Sequence, residues 1–288
     1  MALPVGVGAL RALVKEISAS GEAGKPLAVG GAKELAAVLR RELGRGAAPG
    51  AVRADDDPKG AAVLVYVLGR EPGEDDERAL KRARRARTPI VAVVAGPAGG
   101  DASIPYVLAT DVVPVGAGHG FPLDAISKAI AGRLGEEAAP LAARMPLLRR
   151  AVAQQLVAGF ARKNGIVGAA VFVPGADLPL LALNELRLLL RLEQAYGLEI
   201  DPRERLPEIA ATIGAGFGLR AVARELLDLL PPGSAEGGPD LLAGRRRFNR
   251  RRFQRLPGWA VKGAVAYAGT RALGEAAVRR LEAAPGDH

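Results

Sequence analysis

Pro26-Leu27-Ala28-Val29-Gly30-Gly31-Ala32-Lys33-Glu34 decides how the first half of this chain is read. A short apolar run ends on two glycines, and Lys33–Leu43 then places Leu35, Val38, Leu39 and Leu43 on one helical face. An extended run passing into an amphipathic helix is the opening of a βα unit. The alternation recurs downstream. Ala61–Leu68 (AAVLVYVL) and Pro89–Ala95 (PIVAVVA) have strand length, and Asp111–Val115 (DVVPV) follows as a fourth run after Leu27–Gly30. Continuous β-branched runs without polar alternation suit parallel strands covered on both faces. Helical patterns separate them at Glu74–Arg87 and Phe121–Leu134. The former opens on Glu74, Asp75, Asp76 and Glu77 and closes on Arg82, Arg84, Arg85 and Arg87, which complements the helix dipole at both ends. Residues 1–137 therefore read as an α/β layered sheet.

The glycine pair occupies the seat of a phosphate-binding loop. Such a loop needs G-x-x-x-x-G-K-[ST], so that backbone amides and a Lys cradle phosphates and a hydroxyl holds Mg²⁺. Here Gly30, Gly31 and Lys33 remain, but the second glycine and the Ser or Thr are missing. Ala61 to Leu134 resembles the second half of a Ras-like P-loop GTPase domain. The resemblance implies a guanine-reading motif after the Pro89–Ala95 strand and another after Asp111–Val115. Those places hold Ala95-Gly96-Pro97-Ala98 and Gly116-Ala117-Gly118. Neither Gly nor Pro side chains can replace the hydrogen bonds of Asn and Asp. An Asp-x-x-Gly for Mg²⁺ is not evident before Ala61 either. The expectation is a degenerate GTPase-like fold that is not an enzyme, with no catalytic residue, cofactor, metal or small-molecule substrate. Asp55-Asp56-Asp57, followed by Pro58-Lys59-Gly60, reads as an exposed turn, and His119 as a surface loop residue.

The chain has 288 residues, long enough for two medium units with ample core. It contains no Cys, which excludes disulfides and thiolate chemistry. Its alanine, glycine, arginine and proline content fits a GC-rich bacterial genome. Arg11, Lys15 and Glu16 interrupt the apolar N-terminus, which reads as an amphipathic helix and not a signal peptide, so the expected location is cytoplasmic. Net charge is +9, yet seven arginines (Arg245, Arg246, Arg247, Arg250, Arg251, Arg252, Arg255) lie in one segment without an acid. Subtracting those seven leaves +2 for everything else.

Residues 138–288 turn all-α and read as a helical bundle. Pro140–Lys163 is the first long pattern, and Val173-Pro174-Gly175-Ala176-Asp177-Leu178-Pro179 is a break with Asp177 as N-cap. The helix Leu178–Tyr196 that follows spans roughly 28 Å. Asp177, Asn184, Arg187, Arg191 and Gln194 form one polar stripe on it, while most of its circumference is apolar. Such a helix is central in a bundle or faces a bilayer. A further helix runs from about Pro207 to Leu230, and small residues recur every four positions at Ala210, Gly214 and Gly218, and at Ala260, Ala264 and Ala268. That spacing permits close backbone approach. A membrane span needs about twenty mostly apolar residues, and no segment reaches that without Gly or charge.

This half resembles the bacterial family catalogued as domain of unknown function 697. The residues that carry it are Val173–Pro179 with Asn184, Gly214-Ala215-Gly216-Phe217-Gly218-Leu219-Arg220, Pro257-Gly258-Trp259-Ala260-Val261-Lys262-Gly263 and Ala266-Tyr267-Ala268-Gly269-Thr270. The resemblance implies a partner GTPase domain in front and association with a membrane, and it brings no catalytic residues. The expected function is a non-catalytic pseudo-GTPase scaffold or adaptor, peripheral at the inner membrane. Its expected contacts are an anionic lipid surface or a protein partner, and a homo-oligomer is compatible with it. The anionic-surface residues are Arg245 to Arg255 with Trp259. Three alternatives stay open: a GTP switch with an unusual phosphate loop, a binder of nucleic acid or another anionic polymer through the Arg block, and insertion of the apolar helices.

Overall fold

In a computed structural model, residues 12–13, 15–17, 19, 24–54, 58–69, 71–95, 104–116, 118–170, 178–198 and 258–283 are described. The Arg block, Asp55–Asp57, residues 96–103, residues 171–177 and the expected helix between Pro207 and Leu230 lie outside them.

The first half is built as β1 (Leu27–Gly31), α1 (Lys33–Leu43), β2 (Val52–Ala54), β3 (Val63–Leu68), α2 (Glu74–Arg85), β4 (Ile90–Ala95), β5 (Val112–Val115) and α3 (Leu123–Leu134). The five strands form one parallel sheet in the order β2-β1-β3-β4-β5. Every residue of β3 is buried, as its unbroken VLVYVL run demands. Alternation divides that strand between two cores. Val63, Val65 and Val67 join Leu39 and Leu43 of α1 and Ile126 and Ile130 of α3 on one face. Leu64, Tyr66 and Leu68 meet Ala79, Leu80 and Ala83 of α2 on the other.

The strand β2 is an addition to the four apolar runs. Its three residues, Val-Arg-Ala, are too short to leave a periodic signal, and the strand exists because Leu27↔Val52 and Val29↔Ala54 pair it with the buried β1.

The helical half begins with α4 (Ala139–Arg144) and α5 (Pro146–Ala170), followed by α6 (Leu178–Ala195) and α7 (Gly258–Ala283). The single helix expected over Pro140–Lys163 is therefore two. Met145 has φ −131 and ψ 89, the extended geometry that a following proline imposes, and Pro146 then starts α5, which continues past Lys163 to Ala170. One apolar core runs without interruption from β1, β3 and β4 through α3 and α4 to Leu148, Leu156 and Phe160 of α5 and Leu188 of α6. It crosses the boundary expected near residue 137.

Helix α6 is buried on nearly all sides. Arg187, Arg191 and Gln194 of its polar stripe face the N-terminal helical residues. Gln194 Nε2 donates to the Ile17 carbonyl at 2.9 Å, Arg191 Nη1 to Gln194 Oε1 at 2.9 Å, and Arg187 pairs with Glu16. Leu13 and Ile17 pack beside them on Ala182, Leu186, Leu189 and Leu190.

Helices α5 and α7 approach closely, but through a different face of α7 than the expected one. Ala264 and Ala268 are exposed, whereas Gly263, Ala266, Thr270 and Gly274 are buried. A Cβ on Gly263 would lie 2.8 Å from the Gly165 carbonyl oxygen, and one on Gly168 would lie 2.8 Å from Ala266 Cβ. Two stripes of small residues run along α7, and the stripe that holds glycines permits the nearer backbone.

Candidate functional site

In a sheet of order 2-1-3-4-5 the chain reverses direction between the first and third strands, and ligands of such folds sit outside the carboxyl ends of those two strands. Here that place is an open cleft of about 660 Å³, lined by Gly31, Ala32 and Lys33 after β1, by Leu68 and Gly69 after β3, and by Asp75, Asp76, Arg78 and Arg82 of α2.

Its back wall is a turn of minimal length. Gly31 ends β1 and Lys33 is already the first residue of α1. Gly31 has φ +100, which disfavours any L side chain, and a Cβ there would lie 2.1 Å from the Val67 carbonyl oxygen. The Ala32 amide donates to that same oxygen at 2.9 Å. The first amide of the turn thus extends the sheet instead of facing the cleft. Ala32 as N-cap offers no side-chain oxygen to α1.

The opposite wall is set by Asp76. Tyr66 Oη donates to Asp76 Oδ1 at 2.9 Å, and the Gly73 amide donates to Asp76 Oδ2 at 2.9 Å. Both carboxylate oxygens therefore fix the start of α2 against β3. Asp75 pairs with Arg78 at 2.9 Å. Lys33, Arg78 and Arg82 bring positive charge to the cleft and Asp75 and Asp76 bring negative, so the lining is mixed and not the uniformly cationic wall a polyphosphate favours.

Of the sequence-derived residues, Gly30 is buried in β1 opposite Tyr66, Gly31 makes the close approach, and Lys33 is exposed at the cleft rim. His119 is exposed in the loop before α3. Trp259 lies in the first turn of α7 and is 54% exposed. Arg245, Arg246, Arg247, Arg250, Arg251, Arg252 and Arg255 lie outside the described residues. Nothing in the sequence marks the α2 residues of the cleft wall, because Asp76 reads there only as dipole complement. Its alignment with Tyr66 depends on the register of α2 against the sheet. Among the described residues, no group of His, Cys, Asp or Glu is arranged to hold a metal ion, and no helix is long and apolar enough to cross a membrane.

A second polar constellation lies inside the helical half. Asn184 Nδ2 donates to Asn164 Oδ1 at 2.8 Å, Asn164 Nδ2 to Thr270 Oγ1 at 2.8 Å, and Thr270 Oγ1 to Glu185 Oε1 at 2.9 Å. The chain of donors ties α5, α6 and α7 together at one level, with Asn164, Glu185 and Thr270 buried. Beside it, Glu136 joins Lys163 and Arg187, the latter at 3.2 Å. Burial lowers the pKa of Arg191, against the pull of Glu136 and Glu16.

No family model matches the chain, and neither a curated protein nor a solved structure does.

Proposed function

We propose that this protein is a non-catalytic scaffold. In this reading a degenerate GTPase-like sheet that lacks a phosphate loop is joined to a helical unit related to domain of unknown function 697, which docks on an anionic membrane face. The observation that carries the reading is the turn at Gly31-Ala32. A phosphate loop works by leaving several consecutive amides pointing at one anion. In this chain the Ala32 amide is held by Val67, and only one residue separates β1 from α1. There is no length of loop to wrap a phosphate, and Asp75 and Asp76 face the space it would enter.

The docking element is the segment Arg245–Arg255 with Trp259, which follows it at the start of α7. Basic residues near an anionic leaflet contribute about 1 kcal/mol each at most. Sedimentation of the full chain with phosphatidylglycerol-containing vesicles tests this. Changing Arg246, Arg247, Arg251 and Arg252 to Gln is expected to weaken binding by up to about a thousandfold at low salt. Binding indifferent to salt, lipid charge and these substitutions refutes the electrostatic dock. Tight binding to a nucleic acid instead would move the function to the anionic-polymer reading.

A further inference from the structure

The buried polar layer divides the three long helices into two unlike parts. Asn164, Asn184, Glu185 and Thr270 mark the level of the division. Farther along, Gly274 faces both Val157 and Leu188, so α5 runs antiparallel to α6 and α7. The last turns of α5 and the first turns of α6 and α7 therefore lie at the same end of the bundle. Residues 164–170 and 178–184 contain no charge, and residues 258–270 contain only Lys262. Beyond the layer, toward the sheet, charge returns at once with Arg162, Lys163, Glu185, Arg187, Arg271 and Glu275.

Among the described residues, large apolar side chains are exposed at this end. Ile166 is 62% exposed, Leu180 52% and Trp259 54%, and Tyr267, Ala264 and Ala268 are exposed as well. Together they present large apolar side chains from all three helices at one end of the molecule.

We propose that this end is a membrane-inserting tip, which enters one leaflet of an anionic bilayer without crossing it. The inference rests on the membrane-docking reading above and specifies its geometry. Dimensions support partial entry. At 1.5 Å per residue the uncharged part of α5 is about 10 Å long and the stretch of α7 up to Thr270, with its one lysine, about 20 Å, short of the 30 Å hydrocarbon core but enough for the 5–10 Å depth of interfacial helices. Composition supports a lipid surface over a second copy of this chain. Trp and Tyr favour the headgroup boundary. The single charge, Lys262, is a half-buried cation whose stem can lie along apolar surface while its ammonium reaches an anionic headgroup. No acid lies within the three stretches, and Asp177 directly precedes the second of them.

Trp259 is the only tryptophan, so its fluorescence reports the tip alone. The full chain is mixed with phosphatidylcholine–phosphatidylglycerol vesicles carrying bromine at defined acyl positions. The expected result is a blue-shifted emission, quenched more by shallow than by deep bromines. Ile166→Ser with Leu180→Ser, both at exposed positions, is expected to weaken partitioning roughly tenfold while leaving the melting temperature unchanged. Co-sedimentation at low salt without shift or quenching overturns the tip and leaves the Arg-based dock standing. Absence of binding under every condition overturns both. A blue shift that grows with protein concentration without vesicles, and is lost in the double variant, assigns the surface to a second copy and also overturns the tip.

Discussion

Glycine brings backbones together in both halves of this molecule, with opposite consequences. At the carboxyl end of β1, Gly31 sits in a left-handed conformation against a carbonyl oxygen of β3, and the contact draws the Ala32 amide into the sheet at the back of the cleft. In the helical half, Gly165, Gly168, Gly263 and Gly274 sit inside ordinary helix and draw α5 and α7 into contact. The neighbour of Gly31 is backbone in a sheet, which cannot yield. Several neighbours of the helical glycines are side-chain methyls, which can. A glycine in the first setting fixes a geometry, and in the second it fills a packing surface.

The largest expected effect comes from Gly31→Val. It combines a forbidden backbone conformation with overpacking against the Val67 carbonyl, and these together cost about 3–5 kcal/mol. Urea unfolding should show a lower midpoint, and no substitution at Val67 should restore it because the obstacle is main chain. Parental stability in this variant would mean that the close approach of β1 and β3 is misplaced.

Gly274→Ala sharpens the contrast. Its Cβ would meet Val157 Cγ2 at 2.6 Å and Leu188 Cδ2 at 3.2 Å. The cost is about 1–3 kcal/mol, and Val157→Ala in the same chain is expected to recover part of it. A double-mutant cycle without coupling would remove the assigned contact.

Asn164→Leu tests the polar layer, since it withdraws a partner from Asn184 and from Thr270 together. An unsatisfied buried polar group costs about 1–3 kcal/mol. Thermal melts should fall accordingly, and a melt equal to the parent's would show that the layer is not closed by Asn164.

Much of the sheet is legible in the sequence for a plain reason. Parallel strands buried on both faces must be apolar throughout, and Ala61–Leu68 and Pro89–Ala95 carry that mark. The strand β2 does not, because its place depends on pairing with β1 and not on its own composition. The α5 start is legible in principle, since Pro146 restricts Met145, but the helical periodicity on either side conceals the break. The stripe Asp177, Asn184, Arg187, Arg191 and Gln194 is visible on a helical wheel. What meets Arg187 and Gln194 is not, because Glu16 and Ile17 are more than 160 residues away in sequence. The same holds at the cleft. Gly31 is visible as a glycine, while the Val67 carbonyl that requires it comes from another strand.

The smallest effect lies where α6 ends. Burial, reinforced by Glu282, raises the Tyr196 phenol from 10.0 to about 12. A phenol whose folded pKa exceeds its unfolded value favours the protonated state on folding. Its contribution is full below pH 10 and is lost as pH rises through about 12. Ultraviolet titration should find a late phenol that Tyr196→Phe removes, and a late titration unchanged by that substitution would contradict it.

Whether the β1–α1 turn can seat a nucleotide is read by calorimetric titration of the full chain with GTP and Mg²⁺. No binding heat is expected up to millimolar nucleotide, with Lys33→Ala indistinguishable from the parent. A dissociation constant of about 10 µM or tighter, abolished by Lys33→Ala, would contradict this expectation and make the protein a nucleotide switch.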